Sequence, residues 1–344
     1  MTAVGDGCHA WIQPNGDWFE SNAGLVTGDG ESALIDTLAD LALTRRMLDA
    51  FADLTSDAPI RTVVNTHSDA DHVDGNELVA DAEIVSSRRS AELIRRQDPG
   101  SLKGFDRLAR GMRVVGRLPV PVVGSLPLPL LPRVRLGSIG GYIGDMLDPF
   151  DFDGIAIAAP TREFEGELSL DVGGRKLRLI EVGPAHTPGD LLVHVPDAGV
   201  VYTGDILFVG ATPVMWAGPV INWIVAIERL LDLDSDTFVP GHGPVCGRDE
   251  AEAVKRYWVW LEAAARHRFG LGMSAWDAAR DIVLSPEFQT YEWARWSAPE
   301  RIVVNLHTLE RERRGELGGE PSPQDLVMLF SRVALLAEEL EDRG

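Results

Sequence analysis

Residues 60–72, IRTVVNTHSDADH, run a β-branched stretch directly into His67, Asp69, Asp71 and His72. Side chains two positions apart point to nearly opposite sides of a helix, so His67, Asp69 and Asp71 converge only on extended chain or in a loop. The chain must therefore leave a strand and turn at once into a cluster of ligand-type side chains. Three later stretches have the same form: GPAHTPGD carries His186, VYTGD carries Asp205 and VPGHGPV carries His242, each just past an apolar run. These strand ends can cooperate only where distant parts of the chain meet in the fold.

The rest of the chain reads as regular α/β structure around one interruption. Gly28-Asp29-Gly30 between apolar runs signals a hairpin, and LALTRRMLDAFADL carries helical spacing from Leu41 to Leu54. ELVADAEIVSSRRSAELIRRQ predicts helix, strand and helix. Residues 98–160 are rich in Pro and Gly without steady periodicity and read as an insertion. Beyond it, Gly173-Gly174 marks another hairpin, and DLLVHVPDAGVVYTGD another strand pair. From about residue 248 the pattern is helical, ending in a helix capped by Ser322 with Pro323 in its first turn.

The net charge of -21 argues against a nucleic-acid partner, which would need lysine and arginine to displace counterions. Cys8 and Cys246 are the only cysteines, so no disulfide framework is expected and the reading is cytoplasmic. The first residues have neither a basic start nor an apolar core, so no signal peptide is expected. LPVPVVGSLPLPLLP, 118–132, is too short and proline-rich to span a bilayer, which leaves no stable membrane anchor. It and GSIGGYIGDMLDPF read as a pocket wall or lid, with membrane-surface contact the weaker reading of the former. Residues 84–136 hold eleven Lys/Arg against three Asp/Glu, with Arg107, Arg110, Arg113 and Arg117 at helical spacing. That face either steers an anionic substrate or pairs with the acidic remainder of the chain.

Histidines with carboxylates in this number suit one or two divalent transition ions better than calcium or magnesium, which prefer oxygen shells. Zinc is the first expectation, and iron or manganese the second. His9, His194, His267 and His307 stand outside the motifs and read as surface or core residues. Cys246, four residues after His242, reads as a buried inert thiol. Trp216, Asn222 and Trp223 follow Asp205 closely, where aromatic rings serve either a substrate or the packing of a helix near Asn222.

In order and local context these motifs resemble the metallo-β-lactamase superfamily over roughly residues 10–250. His67, Asp71 and His72 match its H-x-H-x-D-H motif, with Asp69 where a second histidine is expected. His186, Asp205 and His242 match its later ligands, and SNAGLVTGDGESALIDT resembles its opening hairpin. The resemblance implies a four-layer αββα sandwich with the metals at one edge of two sheets. It also implies that His67, Asp69 and His186 hold one metal, that Asp71, His72 and His242 hold the other, and that Asp205 bridges. Asp69 either binds, tilting the site toward harder ions, or leaves one metal lost, or supports a histidine from behind.

The expected organisation is a catalytic domain over 1–250, including insertion 98–160, and a helical extension over 251–344. The chemistry that fits is hydrolysis of an ester, thioester, lactone or amide in a largely apolar small molecule through a metal-bound hydroxide. Asp71 would pass a proton to the leaving group. A polyketide-type cyclase or lyase is the alternative, and a non-catalytic ligand-binding member is a third. Antibiotic hydrolysis is the least favoured enzyme reading, because export would be expected. The apolar C-terminal helices leave room for a homodimer interface.

Overall fold

The computed structural model describes residues 1–117, 133–318 and 322–343. Alternation along the strands sets the layers. In β3 (Ala23–Thr27), β4 (Ser32–Ile35), β5 (Ile60–Val64) and β6 (Glu83–Ser87), neighbouring side chains leave opposite faces. Val26, Ala33, Ile35, Val64 and Val85 pack against Leu177, Leu179, Val193 and Tyr202 of a second sheet. Their neighbours Leu25, Leu34, Val63 and Ile84 pack outward against Met47 and Phe51 of α1 (Leu41–Thr55). Asp40 caps that helix by accepting a 2.6 Å bond from the Leu43 N–H.

Among the described residues the first sheet has the order β1 (Thr2–Gly5), β2 (Cys8–Trp11), β3, β4, β5, β6, β7 (Arg162–Phe164). It is antiparallel as far as β4 and parallel beyond. The second has the order β12 (Thr237–His242), β11 (Val200–Phe208), β10 (Leu191–Val195), β9 (Arg175–Glu181), β8 (Glu167–Val172). Only its β11–β12 pair is parallel.

Its outer face is covered by α6 (Val220–Leu231) and α7 (Arg248–Gly270), and then by α8 (Ala275–Val283), α9 (Ile302–Arg314) and α10 (Pro323–Glu341). One apolar core runs through Ile206, Trp223, Trp258, Leu261, Val303 and Val333, crossing residue 250 without a break. The arrangement is the expected αββα sandwich with helical C-terminal residues. No helix among the described residues is long and apolar enough to cross a membrane.

The insertion departs from its sequence texture. Its described residues include two regular helices, α4 (Pro99–Arg117) and α5 (Arg133–Leu147), which pack on each other and on α10 through Ala109, Ile139, Ile143 and Ala334. The glycines that suggest a loop serve this crossing. A Cβ on Gly140 would lie 2.5 Å from the Arg113 backbone nitrogen and 2.6 Å from the Ala109 carbonyl. Arg110 pairs with Asp106 and Asp148, and Arg113 with Asp145 and Asp148, so these arginines answer acidic neighbours. The lid or membrane-surface reading of 118–132 lies outside the described residues.

Candidate metal centre

Four segments at one edge of the sandwich, two loops and two strand ends, bring the seven predicted residues together. After β5 the chain passes His67 and Asp69 and enters the single-turn α2 (Ala70–Val73), which holds Asp71 and His72. Asp69 occupies the position before that turn yet makes no capping bond; its carboxylate lies 3.1 Å from the Nε2 of His186. His186 sits between β9 and β10 in a loop cinched by Asp190, which accepts bonds from the Ala185 and Thr187 N–H groups and the Thr187 hydroxyl. Burial pushes the Asp190 carboxyl up to about 6.

Asp205 projects from a break in the β11–β12 register, and His242 ends β12. The break depends on two glycines. Gly204 has φ of 48° and lies against Thr66, while any side chain at Gly241 would collide with the Asp205 carboxylate.

Asp205 is the hub. Its carboxylate oxygens lie 3.2 Å from His72 Nε2, 3.2 Å from His186 Nε2, 3.4 Å from His242 Nε2 and 3.9 Å from His67 Nε2. Asp71 lies 3.4 Å from His242 Nε2 and 3.8 Å from His72 Nε2. Two groups of three, His67–Asp69–His186 and Asp71–His72–His242, are joined by His67, His72 and Asp205, with ligand atoms inside each set within 4.8 Å.

The outer faces of the imidazoles fix which nitrogen points inward. Thr66 Oγ1 gives its hydrogen to Asp36, so it accepts from His67 Nδ1–H at 3.0 Å. His72 Nδ1–H donates to Asp36 at 3.0 Å, and His186 Nδ1–H to the Val214 carbonyl at 2.6 Å. His242 is held by stacking on Phe208, with centroids 4.8 Å apart. Each hydrogen-bonded ring therefore keeps a proton on Nδ1 and turns its Nε2 atom toward Asp205. Buried His67 Nε2, His72 Nε2 and Asp205 Oδ1 have no hydrogen-bond partner.

The charges agree with this geometry. Burial and the neighbouring His72 hold the His67 imidazole well below its usual range, so it stays neutral. Burial also opposes charge on His72 and His186. There Asp205 outweighs it, holding His72 well above its usual range and His186 up to about 10 with help from Asp69. Burial works against ionisation of Asp71 as well, but His72 and His242 hold its carboxyl below the usual range. Three carboxylates in one cluster require positive charge between them, supplied by protons on His72 and His186 or by a divalent ion that displaces those protons and takes the inward Nε2 atoms as ligands. The donor set fits one or two such ions.

Sequence reasoning missed the layer behind these residues. Asp36, at φ of 61°, accepts from the Thr66 N–H and hydroxyl and from His72, which aligns two loops at once. It is the Asp of the quoted ALIDT, so its signal lay in the opening-hairpin motif. Ser21, the first letter of the same stretch, donates to the Asp71 carbonyl.

A cavity of about 400 Å³ opens on the cluster, lined by Asp69, Asp71, His186, Asp205 and His242 on one side. Asp69 and Asp71 are its more open members, at 31% and 12% exposure, against at most 5% for the histidines and Asp205. Trp18, Trp216, Leu326 and Phe330 line the other side. Trp18 and Phe330 had no sequence signal, because they approach from the β2–β3 loop and the last helix.

Trp216 therefore faces the cavity. Trp223 is core, donating from Nε1 to the Ile206 carbonyl, and Asn222 donates to the Pro184 carbonyl. His9, His194, His267 and His307 belong neither to the cluster nor to the cavity wall. Cys246 does not line the cavity either, and burial pushes its thiol up to about 12.

Two facing sheets between helical layers, with a histidine–aspartate cluster at one sheet edge, define a class of divalent-metal sandwich proteins. The sequence profile of the metallo-beta-lactamase superfamily matches residues 16–242, and the chain belongs to that superfamily. A linear primary-alkylsulfatase of a Pseudomonas species is 26% identical over 240 residues, 65% of this chain and 42% of that protein. A hydroxyacylglutathione hydrolase of Brucella ovis is 25% identical over 175 residues, 48% of this chain and 60% of that protein. The chain thus spans less than two thirds of either relative. A solved metallo-beta-lactamase family protein of Thermus thermophilus shares the fold with a TM-score of 0.57 and 19% identity, over 93% of this chain and 98% of that one.

Proposed function

We propose that the protein is a metal-dependent hydrolase that cleaves an ester-class bond of a small molecule with a largely apolar body. The ester, thioester, lactone or amide expected from the sequence is extended to a sulfate ester by the alkylsulfatase relative. The observation that carries the reading is the set of four inward Nε2 atoms gathered around the Asp205 carboxylate. His67, Asp69 and His186 would hold one divalent ion, Asp71, His72 and His242 the other, and Asp205 both. Zinc suits the imidazoles, and manganese or iron suits the carboxylate at Asp69. Bound there, divalent ions lower the pKa of water and polarise the bond to be cleaved.

The chain's own groups do the rest. Asp36 and the Val214 carbonyl keep the imidazole protons on Nδ1. Asp71, ionised and open to the cavity, can take a proton from the attacking water and return it to the departing oxygen, nitrogen or sulfur. The apolar part of the cavity wall gives an apolar substrate body a surface to lie against. Both cysteines are free thiols, which suits a reducing compartment such as the cytoplasm.

Exhaustive chelation should abolish hydrolysis of a panel of carboxylic and sulfate esters, and a divalent ion should restore it. Turnover that persists after elemental analysis shows the metal gone would overturn the reading.

A further inference from the structure

Three large rings meet in the wall of the cavity. Trp18 lies 5.4 Å from Phe330 and 6.4 Å from Trp216, and Trp216 lies 6.3 Å from Phe330, centroid to centroid. All three are only partly buried and line the cavity, whereas the core rings Trp223 and Trp258 are fully enclosed. They come from the β2–β3 loop, the chain after β11 and the last helix, so no single element's packing accounts for their meeting.

The rings are held in place from behind. Trp18 Nε1–H donates to the Tyr142 hydroxyl at 3.0 Å, and that hydroxyl donates to Glu300 at 2.7 Å. The Arg301 guanidinium lies 4.4 Å from the Trp18 ring centre and bonds Asp17 at 2.7 Å, so its charge is answered. The Trp216 N–H donates to the His186 carbonyl at 3.0 Å, which fixes the near end of this wall to a residue of the cluster. A tryptophan whose polar edge is satisfied and whose ring faces a cavity offers apolar contact with little ordering left to do.

We propose that Trp18, Trp216 and Phe330 form a subsite for an uncharged alkyl or aryl end of the substrate, with Phe330 of α10 as its specificity-determining residue. This deepens the hydrolase reading and rests on it for the position of the reacting bond. The neighbouring rings are inclined at 40° to 56°, so they present a concave wall and no parallel slot, which suits a flexible chain lying across them.

The test is binding of the 1-alkanols from butanol to octanol to the full-length protein, followed by tryptophan emission, which needs no turnover. Saturable binding should tighten by about fourfold per added methylene. Phe330→Ala should weaken octanol at least tenfold and flatten the series. Phe330→Trp, which narrows the space beside the two tryptophans, should weaken octanol more than butanol and decides the matter if the alanine variant does not fold. Trp216→Phe should remove part of the emission change. Affinity that ignores chain length, or octanol binding unchanged in both Phe330 variants, would overturn the subsite.

The two readings fail separately. Chain-dependent binding without hydrolysis of octyl or 4-nitrophenyl esters would leave the subsite and defeat the hydrolase. Hydrolysis whose KM is indifferent to chain length and to Phe330 would do the reverse.

Discussion

Asp36 and Asp69 are the residues at which chemistry and sequence pattern separate. The Asp36 carboxylate fixes the His72 proton on Nδ1 while also holding Thr66, which in turn receives the His67 proton. Replacing it with asparagine keeps the shape but weakens the charge-assisted bond, so Asp36→Asn should lower divalent-ion affinity by about 10- to 100-fold. Competition against a chromophoric chelator measures this, and unchanged affinity would deny Asp36 its aligning role. Asp69 sits in the position of a family histidine and still reaches His186. Its hard oxygen should favour manganese or iron more than imidazole would. Asp69→His should therefore shift the zinc-to-manganese affinity ratio toward zinc by on the order of tenfold. A ratio that stays fixed would place Asp69 outside the coordinating set. The ligand-type residues were legible because their types and spacing are local; Asp36 was obscured because its function lies in a contact with His72, 36 residues away.

At the level of elements, strands declared themselves and the insertion did not. The apolar runs on either side of Gly28-Asp29-Gly30 and the β-branched IRTVV are short-range signals, and they form the strands they suggest. GSIGGYIGDML misleads because propensity counts each glycine as a weak helix former, while packing makes use of the missing side chains. Gly140 of α5 lies where the backbone of α4 leaves no room for a methyl group. Gly140→Ala should raise helix propensity and nevertheless destabilise the protein, by about 1–3 kcal/mol through overpacking. A urea midpoint that rises in this variant would show that the crossing is loose. The aromatic subsite was illegible for a related reason. Its rings lie at positions 18, 216 and 330, and only the packing of α5 and α10 brings them together.

For the whole molecule, the boundary expected near residue 250 is best understood as a division of labour within one folding unit. We propose that residues 1–250 supply the cluster, while 251–344 complete the core and the cavity wall. Trp258 and Leu261 share a core with Ile206 and Trp223. Asn305 binds the Met215 N–H at 2.8 Å and the Pro213 carbonyl at 2.9 Å, and Thr308 binds the Met215 carbonyl at 2.7 Å. These bonds fix the chain just after β11, beside Asp205 and Val214, so losing the C-terminal helices would also loosen the support behind His186. Cooperative unfolding follows from so large a shared apolar core. A divalent ion that binds only the folded state stabilises it by about 2.7 kcal/mol when present at a hundred times its Kd. Calorimetric heating should therefore show one transition with and without metal, and the whole transition should move to lower temperature when the metal is stripped. Two transitions, of which only one responds to metal, would show that residues 251–344 fold apart from the centre they are argued to support.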